Sequence, residues 1–109
     1  MDDWYELKTI LKALAGVARM TIVYHLMRRP EITVTDLTDL LGISQPLVSW
    51  HLRKLRRAGV ISTRRVGRQV YCSLNADRIQ LCIQGLESLL DPAFALPSLP
   101  SGEALIETE

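Results

Sequence analysis

The chain has 109 residues, of which 48% are hydrophobic and 23% charged, and its formal net charge is +1. This length predicts a single domain, and the composition excludes both a disordered and a fibrous chain. Its apolar segments fall short of the roughly 20 residues that a bilayer-crossing helix needs, so no membrane partner is expected. Only two cysteines, and no signal-peptide pattern at the N-terminus, favour a cytoplasmic location.

The charges are segregated along the chain. Residues 1–44 carry five basic and six acidic side chains, residues 45–74 carry seven and none, and residues 75–109 carry one and six. Soluble proteins usually intersperse the two signs. The basic middle third therefore predicts a surface that meets an anionic partner.

The first part of the chain carries apolar residues at helical spacing. Residues 4–16 predict one helix, and residues 17–29 predict a second that stops before the first proline. A third helix follows, which either Thr33 or Thr35 can cap and which Gly42 can close in the left-handed conformation. Its predicted inward residues are Leu37, Leu40 and Leu41.

A fourth helix begins two residues after this glycine, where Ser44 can act as the cap and Pro46 occupies the first turn. Gly59 ends it. Its predicted core residues are Val48, Leu52 and Leu55. Two helices joined by a turn of three or four residues that contains glycine are the signature of a helix-turn-helix.

Beyond the fourth helix the apolar period changes from about 3.6 residues to two, which indicates strands. Residues 60–65 and 68–74 predict a β-hairpin with Gly67 at its tip. Asn75 can cap a last amphipathic helix. The inner face of the second strand is predicted to carry Val70, Cys72 and Leu74. The predicted fold is mainly α with a small β-hairpin, a winged helix-turn-helix in the order α-α-α-α-β-β-α.

The chain is predicted to divide into one folded domain and a tail. Residues 1–91 would form the winged domain, which binds DNA and dimerises. Residues 92–109 lack an apolar period and are acidic and rich in proline and serine, so they predict a loosely ordered tail.

The outward side of the fourth helix is polar and basic once its apolar residues face the core. In the major groove Gln can pair with adenine and Arg with guanine, and the first turn of a recognition helix makes most base contacts. Gln45, Ser49 and Trp50 are therefore predicted to contact bases or sugars. Pro46 offers apolar contact. The predicted phosphate contacts are Arg53, Lys54 and Arg57 on the helix and Arg64, Arg65 and Arg68 on the hairpin.

The chain closely resembles the ArsR/SmtB family of small bacterial repressors in two segments, "LKALAGVARMTIVYHL" and "VTDLTDLLGISQPLVSWHLRKLRRAGVISTRRVGRQVYCSL". The shared pattern is Ser-Gln-Pro, Val-Ser-x-His-Leu, Leu-Arg-x-Ala-Gly-Val-Ile and Gly-Arg-x-Val-Tyr. The resemblance implies a homodimer that binds a palindromic operator in double-stranded DNA and releases it when an effector arrives. It places the wing at residues 65–68 and DNA contacts at Ser44, Gln45, Pro46, Ser49, Trp50 and Arg53.

The two terminal helices carry long apolar stripes. A chain of this size has a small core, and the stripes offer more apolar surface than that core can cover. A homodimer would cover them and place two recognition helices about 34 Å apart, one turn of DNA. The predicted interface comprises Trp4, Leu7, Leu11, Leu14, Ile79, Ile83, Leu86 and Leu90. The alternative is that both stripes are ordinary core.

The effector is unknown. The family's familiar effectors are metals, held by cysteines in the helix before the recognition helix or by Asp and His on the last helix. Here the helix before the recognition helix has no thiol, and the last helix has no histidine. The chain's four His and Cys residues show no short ligand spacing: His25, His51, Cys72 and Cys82. Neither a metal nor another cofactor is expected.

Two other functions are alternatives to a simple repressor. Cys72 and Cys82 lie on apolar faces and would ordinarily act as small hydrophobic residues. A disulfide or polysulfide bridge between them would instead make a redox- or persulfide-responsive repressor, provided that their Cα atoms lie within about 7 Å. A winged helix can also serve only as a protein-interaction module.

An enzyme is not expected, because the sequence has no Gly-rich phosphate loop, nucleophile elbow or HExxH motif. The long run of basic residues without an acidic one favours DNA over a protein partner. The predicted function is a sequence-specific, DNA-binding regulator of transcription.

Overall fold

The computed structural model describes residues 3–95. The helices are α1 Asp3–Leu14, α2 Val17–Leu26, α3 Val34–Leu41, α4 Gln45–Arg57 and α5 Ala76–Ser88, and the strands are β1 Ile32–Thr33, β2 Ile61–Val66 and β3 Gln69–Leu74. The predicted winged helix-turn-helix is confirmed, with one strand added. Most of the predicted tail, residues 96–109, lies outside the described residues. None of the helices found between residues 3 and 95 is long and apolar enough to cross a bilayer.

Side-chain caps fix the start of α3 and of α4. Thr33 Oγ1 accepts a hydrogen bond from the backbone N–H of Asp36 at 3.0 Å, so Thr33 is the cap of α3. Ser44 Oγ accepts one from the N–H of Leu47 at 3.3 Å. Gly42, with φ of 68°, closes α3 in the left-handed conformation. The turn between the two helices is thus held at both ends, which sets the direction in which α4 leaves it.

The second helix ends at Leu26, whereas the sequence predicts that it extends to residue 29. The N–H of Arg28 donates to the carbonyl of His25 at 3.1 Å, a tighter turn than an α-helix makes. A residue that precedes proline avoids the helical conformation. The chain therefore leaves the helix before it reaches Pro30.

A short strand, β1, joins the hairpin and is not predicted by the sequence. The three strands are antiparallel in the order β1-β3-β2, with Ile32 opposite Cys72 and Thr33 opposite Tyr71. Two residues are too few to show a period of two, and their strand state comes from pairing with β3. Gly67 lies at the hairpin tip with φ of 60°, as predicted.

The core lies between the helices and the inner face of the sheet. Its buried members include the predicted Val48, Leu52, Leu55 and Cys72. The prediction for Leu40 is wrong, because that side chain is exposed. On α1 the buried face is centred on Leu7, Ile10 and Ala13, which leaves Leu11 exposed.

The C-terminal end of α4 is tied to the start of α5 by Asn75. This residue occupies the N-cap position of α5, but its side chain makes no capping hydrogen bond, so the predicted cap is wrong. Its Nδ2 instead donates to the carbonyl of Gly59 at 3.0 Å, and its backbone N–H donates to that of Val60 at 2.8 Å. Arg78 Nε adds a bond to the carbonyl of Ala58 at 3.1 Å. Three consecutive carbonyls after α4 are thus satisfied from the β3–α5 junction.

We expect Asn75→Asp and Asn75→Ala to lower the free energy of unfolding by similar amounts, about 1–2 kcal/mol. Aspartate retains an oxygen that could cap α5 but loses the donor that serves the Gly59 carbonyl. Urea unfolding at one fixed protein concentration measures the effect. Wild-type stability for Asn75→Asp together with a loss for Asn75→Ala would instead identify Asn75 as a helix cap.

Candidate nucleic-acid interface

The surface of α4 divides into faces that follow its helical period. One face is buried in the core, and the opposite face is open. Residues spaced by four and seven positions form a flank that faces the hairpin: Gln45, Ser49 and Arg56. The open face carries Pro46, Trp50, Arg53 and Arg57. The other flank, toward α2, carries His51 and the half-buried Lys54.

A groove of about 600 Å³ lies between α4 and the hairpin. Six of the predicted DNA-contact residues line it: Gln45, Ser49, Arg53, Arg64, Arg65 and Arg68. Thr35 at the start of α3 and Gln69 on β3 line it as well and were not predicted. Arg56, which lies seven residues after Ser49 on the same flank, lines the groove too.

The other predicted contact residues lie outside this groove. Ser44 is exposed, but its hydroxyl oxygen is engaged as the cap of α4. Trp50 is 42% exposed, and its ring centroid lies 5.7 Å from Arg19 Cζ and 5.0 Å from Lys54 Nζ. The predicted contact set is therefore split between the groove and the open face of α4.

Arg64 differs from the other predicted cations because it already has a carboxylate partner. Its Nε and Nη2 donate to the two carboxylate oxygens of Glu31 at 2.6 and 2.8 Å, and its guanidinium lies over the ring of Tyr71. These hydrogen bonds hold the pKa of Glu31 below its ordinary value. Arg64 thus lines the groove already paired with a carboxylate, and its contact with phosphate stays a prediction. Glu31 is distant in sequence but reaches β2 beside the added strand β1.

Most of the basic residues around α4 have no such partner. Among residues 3–95, the arginines paired with a carboxylate are Arg29, Arg64 and Arg78. No carboxylate in the same part of the chain pairs with Arg53, Lys54, Arg56, Arg57, Arg65 or Arg68. Six cations therefore surround the open face of α4 and the groove with their charge uncompensated, which is an arrangement that attracts a polyanion.

His51 packs on the inner side of α4 toward α2. Its ring meets Trp50 edge to face at 5.1 Å, and its Nδ1 atom is buried without a hydrogen-bond partner among the residues that the structure describes. Burial lowers the pKa of His51, and the positive charge of Arg19 lowers it further. The other histidine, His25, lies half-buried against Tyr24. Residues 3–95 contain no group of three His, Cys, Asp or Glu side chains that could hold a metal ion.

The two cysteines are free thiols, and both are buried. Burial raises the pKa of Cys72 to about 11, although Arg56 partly opposes this effect. Burial also raises the pKa of Cys82. The thiolate is the reactive form of cysteine, so both side chains are poorly placed to react near neutral pH.

The residues of the predicted dimer interface separate into buried and exposed ones. The exposed ones are Leu11, Ile83, Leu86 and Leu90. Trp4, Leu14 and Ile79 are half-buried against the core. Leu7 is 5% exposed and packs in the core against α5, where a side chain at Gly85 would lie 3.1 Å from its Cδ1. Leu7 has little surface to offer a second copy, and its place in the interface stays a prediction.

Comparison with known proteins identifies the family. The family model for bacterial regulatory proteins of the arsR family matches residues 16–63, from the residue before α2 into β2. The arsenical resistance operon repressor of Bacillus subtilis is 36% identical over 75 residues, which are 69% of this chain and 70% of that protein. The chain belongs to the arsR family. The expectation that it is a regulator rather than an enzyme is confirmed by this membership.

Other arsR relatives match similar lengths of the chain. The arsenic resistance transcriptional regulator ArsR1 of Pseudomonas putida is 35% identical over 82 residues, which are 75% of this chain and 64% of ArsR1. The chain thus spans less than two thirds of that relative. The solved structure of HlyU from Vibrio cholerae superposes with a TM-score of 0.67 at 27% identity and covers 79% of this chain and 95% of that one.

We expect Cys72 and Cys82 of this arsR-family protein to react slowly with a thiol reagent at pH 7 while the protein is folded. Burial raises the pKa of both thiols, that of Cys72 to about 11, so the thiolate fraction at pH 7 is small. Labelling with a chromogenic disulfide, with and without urea, measures this. Cys72→Ser and Cys82→Ser assign the signal to one thiol. Rapid labelling of the folded protein would support the redox-responsive alternative.

Proposed function

We propose that the protein is a cytoplasmic, sequence-specific regulator of transcription that binds double-stranded DNA as a homodimer. It acts as a repressor, and an effector other than a metal relieves its binding to a palindromic operator. One observation carries the proposal. Six cations that have no carboxylate partner within residues 3–95 surround the open face of α4 and the adjoining groove.

The shape of this surface supports a recognition helix in the major groove. The N-terminal half of α4 projects Gln45 and Ser49 toward the groove and Pro46 and Trp50 toward the open face. An amide and a hydroxyl can bond to base edges, while an indole ring packs on sugars or a thymine methyl group. Further along the helix, Arg53 and the exposed Arg57 are placed to neutralise phosphates.

The wing supplies contacts beyond the ends of α4. Arg65 and Arg68 lie at and beside the hairpin tip, are exposed and have no carboxylate partner among the residues described. We assign them to phosphates or to the neighbouring groove. Arg64 we assign a different role: its bond to Glu31 ties β2 to the chain segment before α3, and so it positions the wing relative to α4.

The exposed apolar side chains of α1 and α5 support dimerisation. Leu11, Ile83 and Leu86 are each about 40% exposed, at 38%, 43% and 43%. The two helices that carry them pack closely, because Gly85 lets the side chain of Leu7 approach α5. An apolar patch shared by two packed helices is typical of an interface. A two-fold axis beside it would present two α4 helices to successive turns of the duplex.

Duplex binding should weaken steeply with salt, because each neutralised phosphate contributes about −0.9 to the slope of log K against log salt. We expect Arg65→Gln to make that slope shallower by about one. Arg28→Gln serves as the matched control and should leave the slope close to the wild-type value, because Arg28 lies beyond the C-terminal end of α2 and does not line the groove. Fluorescence anisotropy of a labelled duplex at several salt concentrations measures the slopes.

Selection of bound sequences from random duplex DNA tests specificity independently. Enrichment of a two-fold symmetric site is the expected result. Affinity that hardly changes with salt, together with no enriched sequence, would contradict DNA binding and favour the protein-interaction module.

The dimer proposal predicts that Ile83→Lys raises the dimer dissociation constant about tenfold or more, because the new charge would be buried in the interface. Val17→Lys is the control, since Val17 is an 85% exposed apolar residue on α2 and is not part of the predicted interface. Sedimentation equilibrium measures both. A wild-type protein that is monomeric would overturn the dimer proposal. The salt dependence of duplex binding would then decide whether one copy of the protein binds DNA through its single α4 helix.

A further inference from the structure

Arg19, on α2, faces the open surface of α4 although it lies far from the basic stretch in sequence. It occupies the first turn of α2, and its guanidinium carbon lies 5.7 Å from the centroid of the Trp50 ring. On the same ring lies Lys54 Nζ, at 5.0 Å. The indole thus sits beside two cations that belong to different helices, and the positive surface continues from α4 onto α2.

The charge of Arg19 is not compensated within the part of the chain that the structure covers. Its Nη2 donates to the carbonyl of Ala15 at 3.1 Å, but no carboxylate pairs with it there, and the first turn of α2 contains no acidic residue. By contrast, Arg29, Arg64 and Arg78 each have a carboxylate partner. Arg19 therefore belongs with the unpaired cations around α4.

The contact between α2 and α4 also leaves polar atoms unsatisfied. Among residues 3–95, the buried side-chain nitrogen and oxygen atoms without a hydrogen-bond partner are Arg19 Nε and His51 Nδ1. Both lie beside Trp50, and the charge of Arg19 acts on His51. Buried polar groups in native proteins nearly always have a partner, so this junction has hydrogen-bonding capacity that the described residues do not use.

We propose that Arg19 is a further DNA-binding residue, which holds a backbone phosphate on the side of α4 away from the wing. The proposal rests on the proposed function, since the ligand is the duplex that α4 and the wing would bind. Phosphates would then be held on both sides of α4, by Arg65 and Arg68 on one side and by Arg19 on the other. Trp50 packs on the sugar between the cations of Arg19 and Lys54.

A phosphate contact is recognised by its salt dependence rather than by loss of sequence preference. We expect Arg19→Gln to make the slope shallower by about 0.9 and to weaken binding about eightfold at 0.1 M salt, by the same relation. The loss should be equal for a mixed-sequence duplex of about 30 base pairs and for a selected site, because the contact carries no base information. Arg19→Lys should keep the wild-type slope, since it keeps the charge.

Arg28→Gln is the matched control. Arg28 lies just beyond α2, donates to the carbonyl four residues earlier at 3.0 Å, and stacks on Tyr24 at 3.7 Å, much as Arg19 does with Ala15 and Trp50. It lies beyond the opposite end of α2 from Arg19, so its loss should not change the slope. Arg19→Met retains the aliphatic stem against Trp50 and replaces Arg19→Gln if thermal unfolding shows that variant to be unfolded.

The outcomes separate this proposal from the function on which it rests. A steep wild-type slope that the neutral Arg19 variants leave unchanged overturns the role of Arg19 and leaves DNA binding intact. Equal changes from Arg19→Gln and Arg28→Gln also overturn it, because they would reflect net charge alone. Absence of duplex binding by the wild-type protein would instead contradict the proposed function itself.

Discussion

The interaction on which the rest of the structure depends is the set of hydrogen bonds that closes the end of α4. Helix ends leave carbonyls without partners, and a chain that turns into a strand must satisfy them in another way. Here three donors of Asn75 and Arg78 serve the carbonyls of residues 58–60. The same Arg78 reaches Glu6 on α1 with its Nη2, at 2.8 Å. The helix α4, the hairpin, α1 and α5 therefore meet at one junction.

This junction gives a physical route between the two surfaces of the protein. The apolar patch of α1 and α5 and the basic face of α4 share few direct contacts, but Arg78 bonds to both α1 and the end of α4. A displacement of α5 must either carry the start of the wing with it or break these bonds. A change in how α5 packs would therefore reach the end of α4 through Arg78, without a separate relay.

The fold followed from local signals, whereas the site depended on pairings that are distant in sequence. Thr33, Ser44, Gly42 and Gly67 act within a few residues, so their roles were legible in the sequence. The ion pair between Arg64 and Glu31 could not be predicted in this way, because the two residues meet only when β1 pairs with β3. A stretch of sequence without acidic residues can still have acidic residues beside it in the folded protein. The same reason hid Arg19, Asn75 and the burial of Leu7, whose partners lie on other elements.

The two tryptophans lie on different helices, Trp50 on α4 and Trp4 on α1. Trp50 lies on the open face of α4 between two cations, whereas Trp4 lies on α1 with its ring 5.9 Å from that of Phe94. Indole emission responds to the charges and solvent around the ring. The protein thus carries one native fluorophore at each surface, so intrinsic fluorescence can follow events at α4 and at α1 without an attached dye.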